Sequence, residues 1–238
     1  MTEKMFASAL KIFDKTEKKN VKKVIIIIIV MLIAGVGAYF GFKSLNGNDK
    51  AKEVKVIDNI SKYGYKLKEN KQKEYQKMFS ELKEILNAKE VDEEKYAKKI
   101  SEMFVYDFYS LKDKMAKTDV GGVDFVYKEV EPNFLQNAQD TYYKYVESNI
   151  YGNRKQNLPV VTNIEIKDLS QKAFAYGSAT DEKAYYVDVV WSYTDEAFSD
   201  YQKKATLVFI HDDIKLSLVE LDWSNSFFWD NWKIYICL

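Results

Sequence analysis

Two aspartates sit where a carboxylate could do acid–base work. Asp107 lies between Phe104 and Phe108 and three or four residues from Met103 and Leu111, so on a helix it turns partly toward the apolar face. Asp188 interrupts an alternating run between Tyr186 and Val190, with Trp191 one residue further on. A carboxyl buried among such side chains would have its pKa raised and would serve as a general base. Acids in these settings more often stay solvated or bonded to a tyrosine. His211 precedes Asp212 and Asp213, but a lone histidine with no nucleophile beside it reads as a hairpin-end residue. Cys237, the single cysteine, lacks partners for nucleophilic or zinc chemistry. There is no P-loop, no Gly-rich dinucleotide turn and no Gly-x-Ser-x-Gly elbow. The expectation is therefore no enzyme, no cofactor and no metal, with Asp107, Asp188, Tyr186 and Trp191 as a candidate pocket. The tryptophans 191, 223, 229 and 232 are more often core than ligand cage. If Phe227, Phe228, Trp229 and Trp232 are exposed, they form an apolar surface large enough for a partner or a membrane.

The position of these residues is set by an apolar stretch far upstream. Val24 to Phe42 reads VIIIIIVMLIAGVGAYFGF without a charge. Its 19 residues, at about 1.5 Å per helical residue, give roughly 28 Å, close to a bilayer's hydrocarbon thickness. Residues 1–23 carry seven lysines against three acids, a net charge of +4, which places that end in the cytoplasm and the remainder outside. A core this long, leaving through Tyr39, Phe40, Gly41 and Phe42, favours a retained anchor over the alternative, a cleaved signal peptide. The chain thus divides into a basic cytoplasmic tail (1–23), a transmembrane helix (24–42), a linker or stalk (43–66) and an extracytoplasmic α+β domain (67–238).

The whole chain is neutral, so the part after the span is net −4 and offers no basic field to nucleic acid. One cysteine forbids an internal disulfide, and the 18 tyrosines, 14 phenylalanines and four tryptophans must supply the core instead. Arg154 is the only arginine, a bias toward lysine that fits an AT-rich bacterial genome.

Within the exported part, Val54, Ile57 and Ile60 fit a stalk helix or coiled-coil contact. Tyr75, Met78, Phe79, Leu82, Ile85 and Leu86 give the next helix its stripe. Asp92 caps a helix running to about Met115, Gly121-Gly122 ends that element, and Pro132 opens a third helix reaching almost to Gly152. After Pro159 the period becomes two and predicts five strands: 160–169, 172–179, 183–194, 202–211 and 215–223, the last two joined at Asp212-Asp213.

The helical run 93–149, followed by AYGSATDEKAYYVDVVWSY and KKATLVFIHDDIKLSLVELDW, is similar over residues 67–223 to the cone-shaped nuclear transport factor 2-like fold. The resemblance implies helices packed in a curved antiparallel sheet, with a cone interior that can become a pocket. With its tail and span, the chain resembles the VirB-type inner-membrane assembly subunit of type IV secretion and conjugation systems. That implies an assembly or scaffold subunit of a cell-envelope complex, with the membrane, other envelope proteins and further copies of itself as partners. No functional residue carries over, because that family has no catalytic motif to match. A ligand-binding or enzymatic cone using a pocket acid, and a membrane-anchored sensor acting through its tail, are the alternatives.

Overall fold

A computed structural model describes residues 55–222. The chain divides into two compact units, 1–53 and 54–238, and every described residue belongs to the second. Strands β1 (Val56–Ile60) and β2 (Tyr65–Lys68) pair antiparallel around a single 3-10 turn, Ser61–Tyr63, closed by Gly64 at φ 74°. This hairpin stands where Ile57 and Ile60 were expected to belong to a stalk helix or coiled-coil contact; residues 43–54 lie outside the described residues. Ile57 is half exposed and serves no helical contact, whereas Tyr65 and Leu67 alternate inward at strand period.

Helix α1 (Lys73–Leu86) buries Tyr75, Met78, Phe79, Leu82 and Leu86, the stripe read in the sequence. Helix α2 (Glu93–Tyr109) starts where Asp92 accepts a hydrogen bond from the Lys95 amide at 3.1 Å, with Glu93 and Glu94 at the positive end of the helix dipole. From Met103 onward every residue of α2 is buried, so the helix is enclosed on all sides. It stops at Tyr109 and not near Met115. Ser110 is extended, its hydroxyl accepts from the Val161 amide at 3.0 Å, and the Leu111 amide donates to Pro159 at 2.9 Å. The chain is captured there by the start of the sheet. Helix α3 (Glu131–Asp140), with Pro132 in its first turn, is also shorter than expected. Tyr142 and Tyr143 both pack against the Phe108 ring, and adjacent residues cannot share one helix face. Irregular chain follows.

Four strands form the main sheet in the order β3 (Val161–Tyr176), β4 (Ala179–Tyr193), β5 (Lys204–Asp212), β6 (Lys215–Asp222), all antiparallel. The two strands expected at 160–169 and 172–179 are one, because Ser170 and Gln171 contain no glycine or proline to turn the chain and both pair with β4. On β4, Tyr185, Val187, Val189 and Trp191 face the helices. Strand β5 is buried on both faces: Leu207 and Phe209 join the main core, while Val208 and Ile210 join Ala184 and Val219 in a second cluster beside Tyr127, Phe174, Tyr176 and Tyr186. The β5–β6 hairpin turns at Asp213, φ 56°, where the sequence placed it.

These observations correct the expected fold class. The described residues form a mixed α+β unit with a four-stranded antiparallel sheet, and none of their helices is long and apolar enough to cross a membrane. A spanning helix followed by a five-stranded cone is not what they show. The tail 1–23, the stretch 24–42 and residues Phe227, Phe228, Trp229 and Trp232 lie outside the described residues.

The hairpin docks through Tyr65, whose hydroxyl lies 2.6 Å from that of Tyr96; the Tyr96 hydroxyl also accepts from the Leu216 amide at 3.2 Å. Tyr96→Phe leaves that buried amide unpaired and is expected to cost about 2 kcal/mol in urea denaturation, against about 1 kcal/mol for Tyr65→Phe, which loses one bond. Equal costs would contradict Tyr96 as the shared junction.

Candidate functional site

Asp107 is 7% exposed, on the enclosed half of α2. One carboxylate oxygen pairs with Lys71 at 2.5 Å and Lys114 at 2.7 Å, and the other accepts from the Gly122 amide at 2.9 Å. Lys114 is 2% exposed, a buried cation whose ammonium, among the described residues, pairs with Asp107 and, at 3.3 Å, Asp113. Burial alone would push the Asp107 carboxyl up, but the Lys114 and Lys71 charges outweigh it and hold the carboxyl well below its ordinary value. Burial works in the opposite sense on Lys114, and Asp107 overrides it, raising the ammonium. The expected upward shift of a pocket base is reversed. Asp107 is a fully ionised structural pin, and both its oxygens are engaged.

The loop that supplies Lys114 and Gly122 fits only because residues 121 and 122 are glycines. A Cβ on Gly121 would lie 2.0 Å from the Asp107 carbonyl oxygen, and one on Gly122, φ 75°, would lie 2.6 Å from the Phe104 ring. Tyr143 closes the cluster, accepting from the Gly121 amide at 3.0 Å and donating to the Phe108 carbonyl at 2.6 Å. Arg154 donates to the carbonyls of Lys112, Lys114 and Glu147, tying this loop to the segment after α3.

The four candidate pocket residues do not meet. Trp191 lies on the inner face of β4 against Tyr109, ring centroids 4.3 Å apart, its indole N–H beside the Tyr193 hydroxyl without a well-formed hydrogen bond. Asp188 and Tyr186 are on the opposite face. Asp188 is exposed and accepts from the Thr206 hydroxyl at 2.6 Å, and Tyr186 packs in the second cluster. His211 is the centre of a group that sequence neighbours did not reveal. Asp181 accepts from its backbone amide at 2.7 Å and faces Nδ1 at 2.8 Å, while Nε2 is 3.4 Å from Glu93, which also accepts from Tyr185 at 3.3 Å. Burial would raise the Asp181 carboxyl, but the His211 amide and ring and the Lys183 amide lower it; burial and the Glu93 charge push the Tyr185 phenol up to about 12. This group joins β4, β5 and the start of α2. Among the described residues no group of His, Cys, Asp or Glu is placed to hold a metal ion.

The remaining candidate is an edge. Strand β3 ends the sheet, 16 residues long, and nothing among the described residues pairs with its outer side. Beside it a groove of about 530 Å³ separates β3 from α2, with Glu94, Lys98 and Glu102 on the helix and Ile164, Ile166 and Leu169 on the strand. An extended segment could add here by main-chain hydrogen bonds, with side chains in the groove. No protein family, curated protein or solved structure matches this chain.

Asp107→Asn leaves the buried Lys114 charge unbalanced and is expected to cost about 3–5 kcal/mol in chemical denaturation. Lys114→Met should cost less, about 1–3 kcal/mol, because Asp107 keeps Lys71 and the Gly122 amide. The lowered Asp107 pKa gives stability that is present above the unfolded value of 3.8 and lost as pH falls through the folded value; the raised Lys114 pKa gives stability present below 10.5 and lost above it. Stability curves of the wild type should fall at acid pH, and Asp107→Asn should flatten that limb. An unchanged acid limb would contradict the pairing.

Proposed function

We propose that residues 55–222 are the binding unit of an assembly subunit in a cell-envelope complex, of the kind that serves type IV secretion and conjugation. The apolar stretch Val24–Phe42 tethers the chain to the membrane, the lysine-rich residues 1–23 stay in the cytoplasm, and the folded unit works outside. Its mechanism is recognition, without turnover. The observation that carries this reading is the open β3 edge above its groove, a surface suited to main-chain pairing with another protein. The acids and the histidine that could have served chemistry are instead engaged in joining elements of the fold.

Two measurements test it together. Protease added to protoplasts should remove the folded unit and spare the tail, and deletion of the chain should make its membrane complex fall apart on native gels. A folded unit protected in intact protoplasts, or a complex that assembles normally without the chain, would contradict the proposal.

A further inference from the structure

Strand β3 is not uniformly available. Its register with β4 shifts between Thr162 and Glu165, between Ile166 and Asp168, and between Lys172 and Phe174. Such bulges twist an edge away from a new partner. The longest regular stretch is Asp168–Lys172, which pairs residue by residue with Asp188 through Ala184. Along it Asp168, Ser170 and Lys172 share the outer face, while Leu169 and Gln171 face the groove side with Val187 and Tyr185.

The charges in this stretch are unmatched within the fold. Asp168 is exposed and stands directly opposite Asp188, a like-charge pair across the strands, with no cation paired to it among the described residues. Lys172 is exposed and has no carboxylate partner there; its ammonium lies over the Tyr186 ring, 5.2 Å from the centroid. By contrast, Lys167 and Glu165 on the bulged part pair with each other at 2.7 Å.

We infer that the occupant of this edge is a second copy of the chain, joined β3 to β3 antiparallel about a two-fold axis through Ser170. This deepens the assembly reading and rests on it. A two-fold axis normal to the sheet keeps outer face with outer face, so only residues of one face can oppose each other. Of the registers this allows, the one centred on Ser170 sets Asp168 against Lys172 of the second copy, and Lys172 against its Asp168. Centring on Leu169 or on Gln171 opposes no opposite charges. The contact joins two four-stranded sheets into one of eight strands, and the incoming Lys172 also relieves the Asp168–Asp188 repulsion. Tethering both copies in one membrane raises their effective concentration, so a short contact suffices.

The test uses the full chain in detergent or nanodiscs, followed by sedimentation equilibrium. The wild type should dimerise, and Asp168→Lys or Lys172→Asp alone should weaken the dimer about tenfold by setting like charges opposite each other twice. The double reversal Asp168→Lys/Lys172→Asp should restore affinity to within about threefold, an outcome that a folding defect could not produce. With Cys237 replaced by serine, Ser170→Cys should give a covalent dimer on oxidation, and Glu84→Cys on exposed α1 should not. A monomeric wild type, single reversals without effect, absence of rescue, or no Ser170→Cys cross-link would each overturn the inference. A dimer insensitive to these changes refutes the β3 contact and leaves the assembly reading standing. A membrane complex that forms without the chain refutes the assembly reading, whatever β3 does.

Discussion

The buried ion cluster around Asp107 is the constraint on which the rest of the unit depends. A charge inside an enclosed helix costs several kcal/mol of desolvation unless its partners are placed with good geometry. Here those partners come from three places in the chain: Lys71 before α1, Lys114 in the loop after α2, and the Gly122 amide at that loop's end. Satisfying one carboxylate therefore dictates the path of residues 110–122 and the docking of α1. The close approach at Gly121 and Gly122 and the Tyr143 hydrogen bonds follow from that path, and Arg154 extends it to the segment after α3.

The second organising feature is that the sheet is covered unequally. Near the β3–β4 hairpin its outer face carries an apolar cluster with Tyr127, Tyr176 and Tyr186, and β6 has a backbone neighbour, since the Tyr127 amide donates to Leu218. At the other side β3 has none among the described residues. Bulges and self-paired charges blunt most of this edge, as edge strands require, and leave one straight stretch. That asymmetry leaves β3, and not β6, with an open, regular edge stretch among the described residues.

Where local pattern decides structure, the sequence was readable. The stripe of α1, the Asp92 cap, the inward run of β4 and the Asp213 turn all follow from spacing alone. The misreadings arise where distant contacts override local signals. Leu111 and Met115 continue a helical pattern, yet Pro159 and Val161 stop α2 at Tyr109. Ile57 and Ile60 suit a helix, yet they lie in a strand whose partner buries Tyr65 and Leu67. That Asp107 turns partly inward was legible from its flanking phenylalanines, but neither its full burial nor the sign of its pKa shift was, because Lys71 and Lys114 are brought to it only by the fold. One signal did bear on the site: the adjacent Gly121 and Gly122 mark a close backbone approach. His211 illustrates the same limit. Its neighbours in sequence point elsewhere, with Asp212 accepting from Ser217, while its actual partners Asp181 and Glu93 are 30 and 118 residues away.

The Gly122 amide reports on the cluster directly, because among the described residues its hydrogen bond goes to Asp107 alone. Native-state hydrogen exchange of that single amide is therefore the decisive measurement. A pinned loop predicts that it exchanges only through global unfolding, as slowly as the amides in the enclosed half of α2. Exchange at the rate of an open surface loop would contradict the claim that the ion cluster holds this unit together.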